Sequence, residues 1–295
     1  MDYRDNVFIS VAENLSISKA AEEMHISQPA VSKHIKELEN KLNVALFTRR
    51  GNKIYLTNEG TLALTHLKSI RKQYASMEFE LGNITGNQKG ELTIGASSTI
   101  SQYVIPSVLA SFHKRYPEIK ITLLNGNSYE IEELLLVGKI DLAMVENDSS
   151  RANIRYIPVM NDNIIAITGV SSAYAGLKEI SLNDLTQIPL LIRERGSGTL
   201  EVIEKSLKVK GISIDNLNIF MHLGATETIK NFLDNFDGIA LVSEWAIKRE
   251  ALNKRFKTIK IKNLSFERHF RAATLLGPTF RMPWLFIEYF KEYNI

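Results

Sequence analysis

Ser27-Gln28-Pro29-Ala30-Val31-Ser32-Lys33-His34-Ile35-Lys36-Glu37-Leu38-Glu39 is the stretch on which the reading of the chain turns. It predicts a short helix that carries its own start signal. Ser27 can accept a hydrogen bond from a free N–H of the first turn, and Pro29 is tolerated there because that turn has no acceptor to lose. Val31, Ile35, Leu38 and Leu42 recur at helical spacing and are expected to face a core. The opposite face carries Gln28, Ser32, Lys33 and Lys36. Amide and hydroxyl side chains can read base edges, and lysines can hold phosphates. The face therefore has the chemistry of a helix that lies in a DNA groove.

The flanking residues support that reading. Upstream, Val7, Phe8, Val11 and Ala12 share one face of a predicted helix over 4–14. Ser18 is the expected cap of a second helix, Lys19–His25, in which Ala20 and Ala21 permit a close helix crossing. Ile26-Ser27 then makes a tight connection, so the outline is a helix-turn-helix behind a supporting helix. Helical hairpins with no DNA role share this outline. Downstream, Leu46–Arg49 and Ile54–Leu56 read as two short strands around Arg50-Gly51-Asn52-Lys53. A plain surface hairpin would look similar, but Arg49, Arg50 and Lys53 directly after a helix-turn-helix favour a basic wing along the phosphate backbone.

Thr57 is placed to cap a long helix from about Asn58 to Leu81. Within it Ala63, Leu67, Ile70, Tyr74, Met77 and Leu81 follow the spacing of a heptad seam. A single amphipathic helix packed on its own domain is the alternative. Few other apolar residues nearby can cover the stripe, which favours dimerisation and two recognition helices per dimer.

Composition sets the bounds. The 295 residues allow two or three domains with substantial cores. The absence of cysteine excludes disulfides, thiolate chemistry and cysteine-ligated metal. The first residues, Met1-Asp2-Tyr3-Arg4-Asp5, lack a signal-peptide pattern, and no apolar run suggests a membrane span, so the expectation is a cytoplasmic protein. Net charge is only +3, yet residues 31–53 hold six Lys/Arg against two Asp/Glu. That local excess is the footprint of a small DNA reader, although a solvated charged face has the same composition.

Ala20-Ala21, Ser27–Ser32, Ile35, Leu38-Glu39, Leu46-Phe47 and Leu56-Thr57-Asn58-Glu59-Gly60 together resemble the N-terminal domain of LysR-type bacterial transcription regulators throughout residues 3–61. The resemblance implies a winged helix-turn-helix, a dimerising linker helix and a C-terminal effector domain of periplasmic-binding-protein type, usually assembled as tetramers. It implies that Ser27, Gln28, Pro29, Ser32, Lys33 and Lys36 lie at the DNA, with Arg49, Arg50 and Lys53 in the wing. RNA polymerase is a further partner by that reading.

The glycine-containing stretch 83–90 is expected to be a hinge between a DNA-binding part (1–57, with linker helix 58–82) and an effector domain (91–295). Beyond it, strands alternate with helices, the pattern of parallel α/β sheets. The predicted fold class is thus α/β multidomain, with lobe I at about 91–162 and 268–295 and lobe II at about 163–267. In such folds ligands sit at the carboxyl ends of strands, where helix N-termini open into the cleft. Ser97-Ser98-Thr99, Glu146, Arg193, Ser197 with Thr199, and Thr226 occupy such positions. Hydroxyls beside free N–H groups suit a carboxylate, sulfate or phosphate, although each Ser or Thr can equally be a simple helix cap.

By resemblance, the positions of Ser97 and Thr99 contact an inducer. Arg193–Thr199 with Gly238–Ser243 looks most like the sulfur- and cysteine-metabolism (CysL-like) branch, while another small carboxylate or an aromatic acid stays open as the inducer. An enzyme is disfavoured: the six histidines lack metal-ligand spacing, and Gly169–Ala173 echoes a nucleophile elbow without its glycine pattern or partners. No cofactor and no catalytic or metal residue is expected. The competing classes are a cytoplasmic small-molecule sensor without direct DNA regulation and a solute-binding transport protein.

Overall fold

The computed structural model describes residues 1–51, 53–85, 89–248, 255–277 and 280–293. It forms two compact units, Met1–Asn87 and Gln88–Ile295.

The first unit opens with α1 (Tyr3–Asn14), α2 (Ile17–Glu23) and α3 (Gln28–Leu42). The hairpin β1 (Phe47–Arg50) and β2 (Lys53–Leu56) follows, and then the long helix α4 (Asn58–Thr85). Val7, Phe8 and Val11 of α1 meet Val31, Ile35 and Leu38 of α3 in one apolar core, with Ala20 and Ala21 between them. The cap of α2 is Ser16 rather than Ser18: its hydroxyl accepts from Lys19 N at 3.3 Å. Ile17 packs against the core and so draws the helix start two residues upstream. Leu42 does not reach the core; it is 44% exposed in the last turn of α3, next to the left-handed residue Asn43 that ends the helix.

The expected cap at Thr57 is present and works in both directions. Its Oγ1 accepts from Gly60 N at 2.8 Å and donates to Ala45 O at 2.7 Å, tying α4 to the start of the wing. The apolar stripe of α4 divides. Ala63 and Leu67 pack on the core of their own domain, whereas Ile70, Tyr74, Met77 and Leu81 are 44–56% exposed. The linker helix also outlasts its predicted end. Residues 83–85 of the expected hinge are helical, 86–88 lie outside the described residues, and Gly90 already begins a strand.

The second unit contains β3 (Gly90–Ser97), α5 (Ile105–Arg115), β4 (Ile119–Gly126), α6 (Ser128–Leu136) and β5 (Leu142–Val145). A widened helical turn, Ile100–Val104, leads into α5, next to Pro106, which has no N–H to donate to the turn before it. The long strand β6 (Ile154–Gly169) leads to the second half: β7 (Glu179–Ile180), α7 (Leu182–Gln187), β8 (Leu190–Arg193), α8 (Gly198–Val209), β9 (Ile219–Leu223), α9 (Thr226–Leu233) and β10 (Ile239–Ser243). β11 (Phe256–Ile261), β12 (Phe266–Leu275) and α10 (Arg281–Glu292) complete it.

The two lobes are not separate parallel sheets as expected. One hydrogen-bonded path runs β4-β3-β5-β12-β6-β10-β8-β9. β3, β4 and β5 are mutually parallel, as are β8, β9 and β10, but β12 and β6 join the two halves in antiparallel pairing. The crossings predicted near 162 and 268 therefore fall within long continuous strands rather than in loops. Each half has its own core, Ile131, Leu135 and Ile140 with Val145 in one and Leu190, Ile192, Ile203 and Leu241 in the other.

Candidate functional sites

At the N-terminal unit, Ser27 Oγ accepts from Ala30 N at 3.3 Å, and Pro29 lies in the first turn of α3. Gln28, Pro29, Ser32, Lys33 and Lys36 are all exposed along the face opposite Val31, Ile35 and Leu38. Ser27 is itself spent on capping, so its role is to start the helix. In the hairpin Arg50 pairs with Lys53, and Gly51 adopts φ +60, a conformation that favours glycine. Arg49, Arg50 and Lys53 are exposed, and the Arg50 guanidinium lies 5.7 Å from the Tyr55 ring centre. Gln28, Pro29 and Ser32 share with Arg49 and Lys53 the lining of an open groove of about 780 Å³, closed on its third side by Leu15–Ser18. Groove and basic rim thus come from three elements at once, which sequence spacing alone does not reveal.

In the second unit every residue selected from the sequence is buried: Ser97, Ser98, Thr99, Glu146, Arg193, Ser197, Thr199 and Thr226. They fall into two connected clusters. In the first, Glu146 accepts from Ser97 Oγ and from Thr199 Oγ1, each at 3.0 Å, with Arg268 Nη1 at 3.5 Å. In the second, the Arg193 guanidinium donates to Thr226 Oγ1 at 3.4 Å, to Ser98 Oγ at 3.3 Å and to Gly224 O at 3.3 Å, and clasps Glu194 at 2.8 and 2.9 Å. Ser97, Ser98 and Glu146 come from the ends of β3 and β5, Arg193 and Thr199 from the opposite half. The site lies between the halves. Ser197 is the exception: its hydroxyl accepts from Thr199 N at 3.2 Å, a simple cap of α8.

The sequence reading missed Arg268, Asp162 and Ser243. Arg268 donates through Nε to Asp162 Oδ2 at 2.7 Å and through Nη1 to Thr199 Oγ1 at 2.9 Å, and Ser243 Oγ donates to Asp162 Oδ1 at 2.7 Å. Asp162 and Arg268 are the buried positions between exposed neighbours, Asn161 and Asn163 in β6 and Glu267 and His269 in β12, so the polar runs around them hide which charge points inward. Burial alone would raise the Glu146 pKa, but Arg268 and Arg193, with the threonine hydroxyls of 99 and 199, hold it below its ordinary value. For Asp162 burial prevails over Arg268 and Ser243, and its pKa is raised.

The rims of this site are also bridged. Glu201 of α8 accepts from Asp148 N at 3.1 Å and Ser149 N at 2.6 Å, and Lys205 pairs with Asp148. Opposite, Tyr103 donates to Glu227 at 2.6 Å, and the buried Lys230 binds the same carboxylate at 2.7 Å. The start of α8 approaches the first half so closely that a Cβ at Gly198 would fall 2.5 Å from Asn147 N.

The first unit thus carries an open groove lined by α3 and the hairpin, and the second a set of buried polar side chains where its two halves meet. The chain belongs to the LysR family: residues 6–61 match its bacterial regulatory helix-turn-helix domain and residues 85–292 its substrate-binding domain. It is similar to the HTH-type transcriptional regulator CysL of Bacillus subtilis, at 30% identity over 88% of this chain and 86% of that protein, in agreement with the branch read from the sequence. Among solved structures, full-length CbnR complexed with its target DNA matches with a TM-score of 0.65 at 20% identity, covering 99% of each chain. The CcmR regulatory domain of Synechocystis in complex with 2-PG matches with a TM-score of 0.62 at 22% identity, covering 69% of this chain and 96% of that one. The family is one of regulators, not of enzymes. No helix among the described residues is long and apolar enough to cross a membrane.

Proposed function

We propose that Gln28, Ser32 and Lys33 of α3 read bases and hold phosphates in the major groove of promoter DNA, while Arg49, Arg50 and Lys53 lie on the backbone. Lys36 adds a phosphate contact one turn further along. The observation that carries this reading is the shared groove: α3 and the wing present their polar residues to one concave surface. The exposed part of α4, Ile70, Tyr74, Met77 and Leu81, pairs with a second copy and so doubles the recognition helix; the tetramer that the family resemblance implies would then join two such dimers.

The effector is a small metabolite with an acidic group, held between lobe I (about 91–162 and 268–295) and lobe II (about 163–267). Ser98, Thr99, Arg193 and Thr226 supply its donors, and a sulfur-containing metabolite is the first class to test because Arg193–Thr199 and Gly238–Ser243 resemble the sulfur- and cysteine-metabolism branch. Its binding shifts the equilibrium between lobe arrangements, and with it the spacing of the DNA-bound helices and contact with RNA polymerase.

A thermal-shift screen of sulfur-containing and carboxylate metabolites, followed by footprinting with each hit, tests this function. A true effector raises the melting temperature and alters the footprint. If Thr99→Ala and Thr199→Ala proteins respond like the parent, the cleft is not the effector site.

A further inference from the structure

We propose that the cleft opens at one rim only: Tyr103 is the fixed pin between the lobes, and an effector enters where Asp148 and Ser149 meet Glu201 and Lys205. This rests on the reading of the cleft as the effector site and adds the route into it.

The two rims differ in what water can replace. At the first, Glu201 of α8 receives the backbone N–H groups of Asp148 and Ser149 and, at 3.1 Å, the Ser149 hydroxyl, while Lys205 pairs with Asp148. The side chains of Asp148 and Lys205 are 46% and 65% exposed. When these groups part, water takes over their hydrogen bonds, so exposed contacts of this kind hold the lobes weakly. The contacts in the middle of the cleft, Thr199 to Glu146 and Arg193 to Ser98, are also polar and can be rehydrated.

The opposite rim is of another kind. Tyr103 of lobe I packs against the apolar core of lobe II that contains Ile229, Leu233, Val242 and Ala246. Its hydroxyl donates to Glu227, and the Lys230 ammonium lies 5.0 Å from its ring centre. Lys230 is 1% exposed and is held by Glu227 and by Ala246 O at 2.9 Å. Water does not replace the contacts of a ring that leaves a core, and the buried cation would lose its aromatic face. Of these cross-lobe contacts, that of Tyr103 alone has such an apolar part.

The strands that cross between the lobes leave room for a one-sided movement. In the β6–β12 ladder Phe270 faces Met160 and Arg271 faces Pro158, so Val159 has no counterpart. A bulge beside a proline thus interrupts the ladder at the crossing, and bulges are where strands bend.

A contact kept in the open state cancels from the opening equilibrium, whereas one broken on opening counts in full. Because the sequence has no cysteine, a Ser98→Cys thiol on the buried wall of the cleft reports that equilibrium through its rate of reaction with dithiobis(nitrobenzoate). Full-length Ser98→Cys protein is compared with the same protein carrying Glu201→Ala with Lys205→Ala, Tyr103→Phe, or Tyr103→Leu. The α8 double substitution should speed labelling at least roughly fivefold. The tyrosine variants should melt at lower temperature yet label within about twofold of the Ser98→Cys protein. A shallow dependence on urea marks labelling through cleft opening rather than through unfolding. Tyr103→Phe carries the comparison if Tyr103→Leu does not fold, and Thr226→Cys on the opposite wall replaces Ser98→Cys if that protein does not. A tyrosine variant that speeds shallow-urea labelling as much as the α8 substitution does overturns the proposal. So does an unchanged rate after the α8 substitution, or labelling through global unfolding alone. Failure of the effector assignment shows elsewhere, in Thr99→Ala and Thr199→Ala proteins that respond like the parent to the hits of the metabolite screen while the labelling pattern holds.

Discussion

Replacing Gly198 by alanine tests whether the lobes meet as closely as described. The added Cβ would lie 2.5 Å from Asn147 N, 2.7 Å from Glu146 C and 2.8 Å from Glu146 Cγ. Two of these atoms are backbone and cannot swing aside. Overpacking of this kind costs about 1–3 kcal/mol, while alanine over glycine in a helix returns about 0.5–1 kcal/mol. The two ranges leave a net of about 0–2.5 kcal/mol against the closed arrangement, and at about 1–2 kcal/mol the factor is roughly 5–30 in population. The strain exists only where α8 meets residues 146–147, so parting of the lobes relieves it. The melting temperature should fall by about 2–8 °C. An effector that binds the closed state should lose affinity in a calorimetric titration, by the full factor of roughly 5–30 where the open state predominates without effector and by less where it does not. Affinity for a single half-site should be unchanged, because α3 and the wing lie on the other unit. An equal or higher melting temperature together with an unchanged titration would refute the close approach.

Further outcomes follow from other residues. Thr57→Ala removes one accepted and one donated hydrogen bond at the start of α4 and should cost about 1–2 kcal/mol, read as a lower melting temperature of the DNA-binding unit. Ile70→Asp places a charge in the exposed stripe of α4 and should shift sedimentation toward monomer; a dimer of unchanged strength would remove that stripe from the interface. Lys33→Ala should weaken binding to all DNA sequences and lower the salt slope by about 1, without changing sequence preference. The pH dependence has a definite sign. The folded-state pKa of Glu146 is depressed, so it contributes stability that is present above its ordinary value of 4.5 and lost as pH falls below it. Acid melts should therefore show a steeper loss for the parent than for Glu146→Gln.

Most of the DNA-binding unit was legible in the sequence because its signals are local. The Ser27 cap, the Val31–Ile35–Leu38 stripe and the Thr57 cap each depend on neighbours within a few residues. The misplaced cap at Ser18 and the exposed Leu42 show where such reasoning stops: whether Ile17 or Leu42 finds a core is decided by another helix. The cleft was half legible. Ser97, Thr99, Glu146 and Thr199 lie at strand ends that the α/β rhythm predicts. Arg268 and Asp162 were invisible because they sit within β12 and β6, and their pairing depends on a register 106 residues apart. The apolar stripe of α4 was overread for a related reason, since its first third is covered by the chain's own helices.

Selection of genomic DNA fragments by the purified protein, followed by sequencing, tests the central claim most directly. Parent protein should enrich a discrete two-fold-symmetric site with half-sites about one helical turn, or a multiple of it, apart. A folded Gln28→Ala/Ser32→Ala protein should bind DNA without enriching that site. Enrichment of the same site by that variant, or no discrete site for the parent, would contradict the assignment of α3 as the recognition helix.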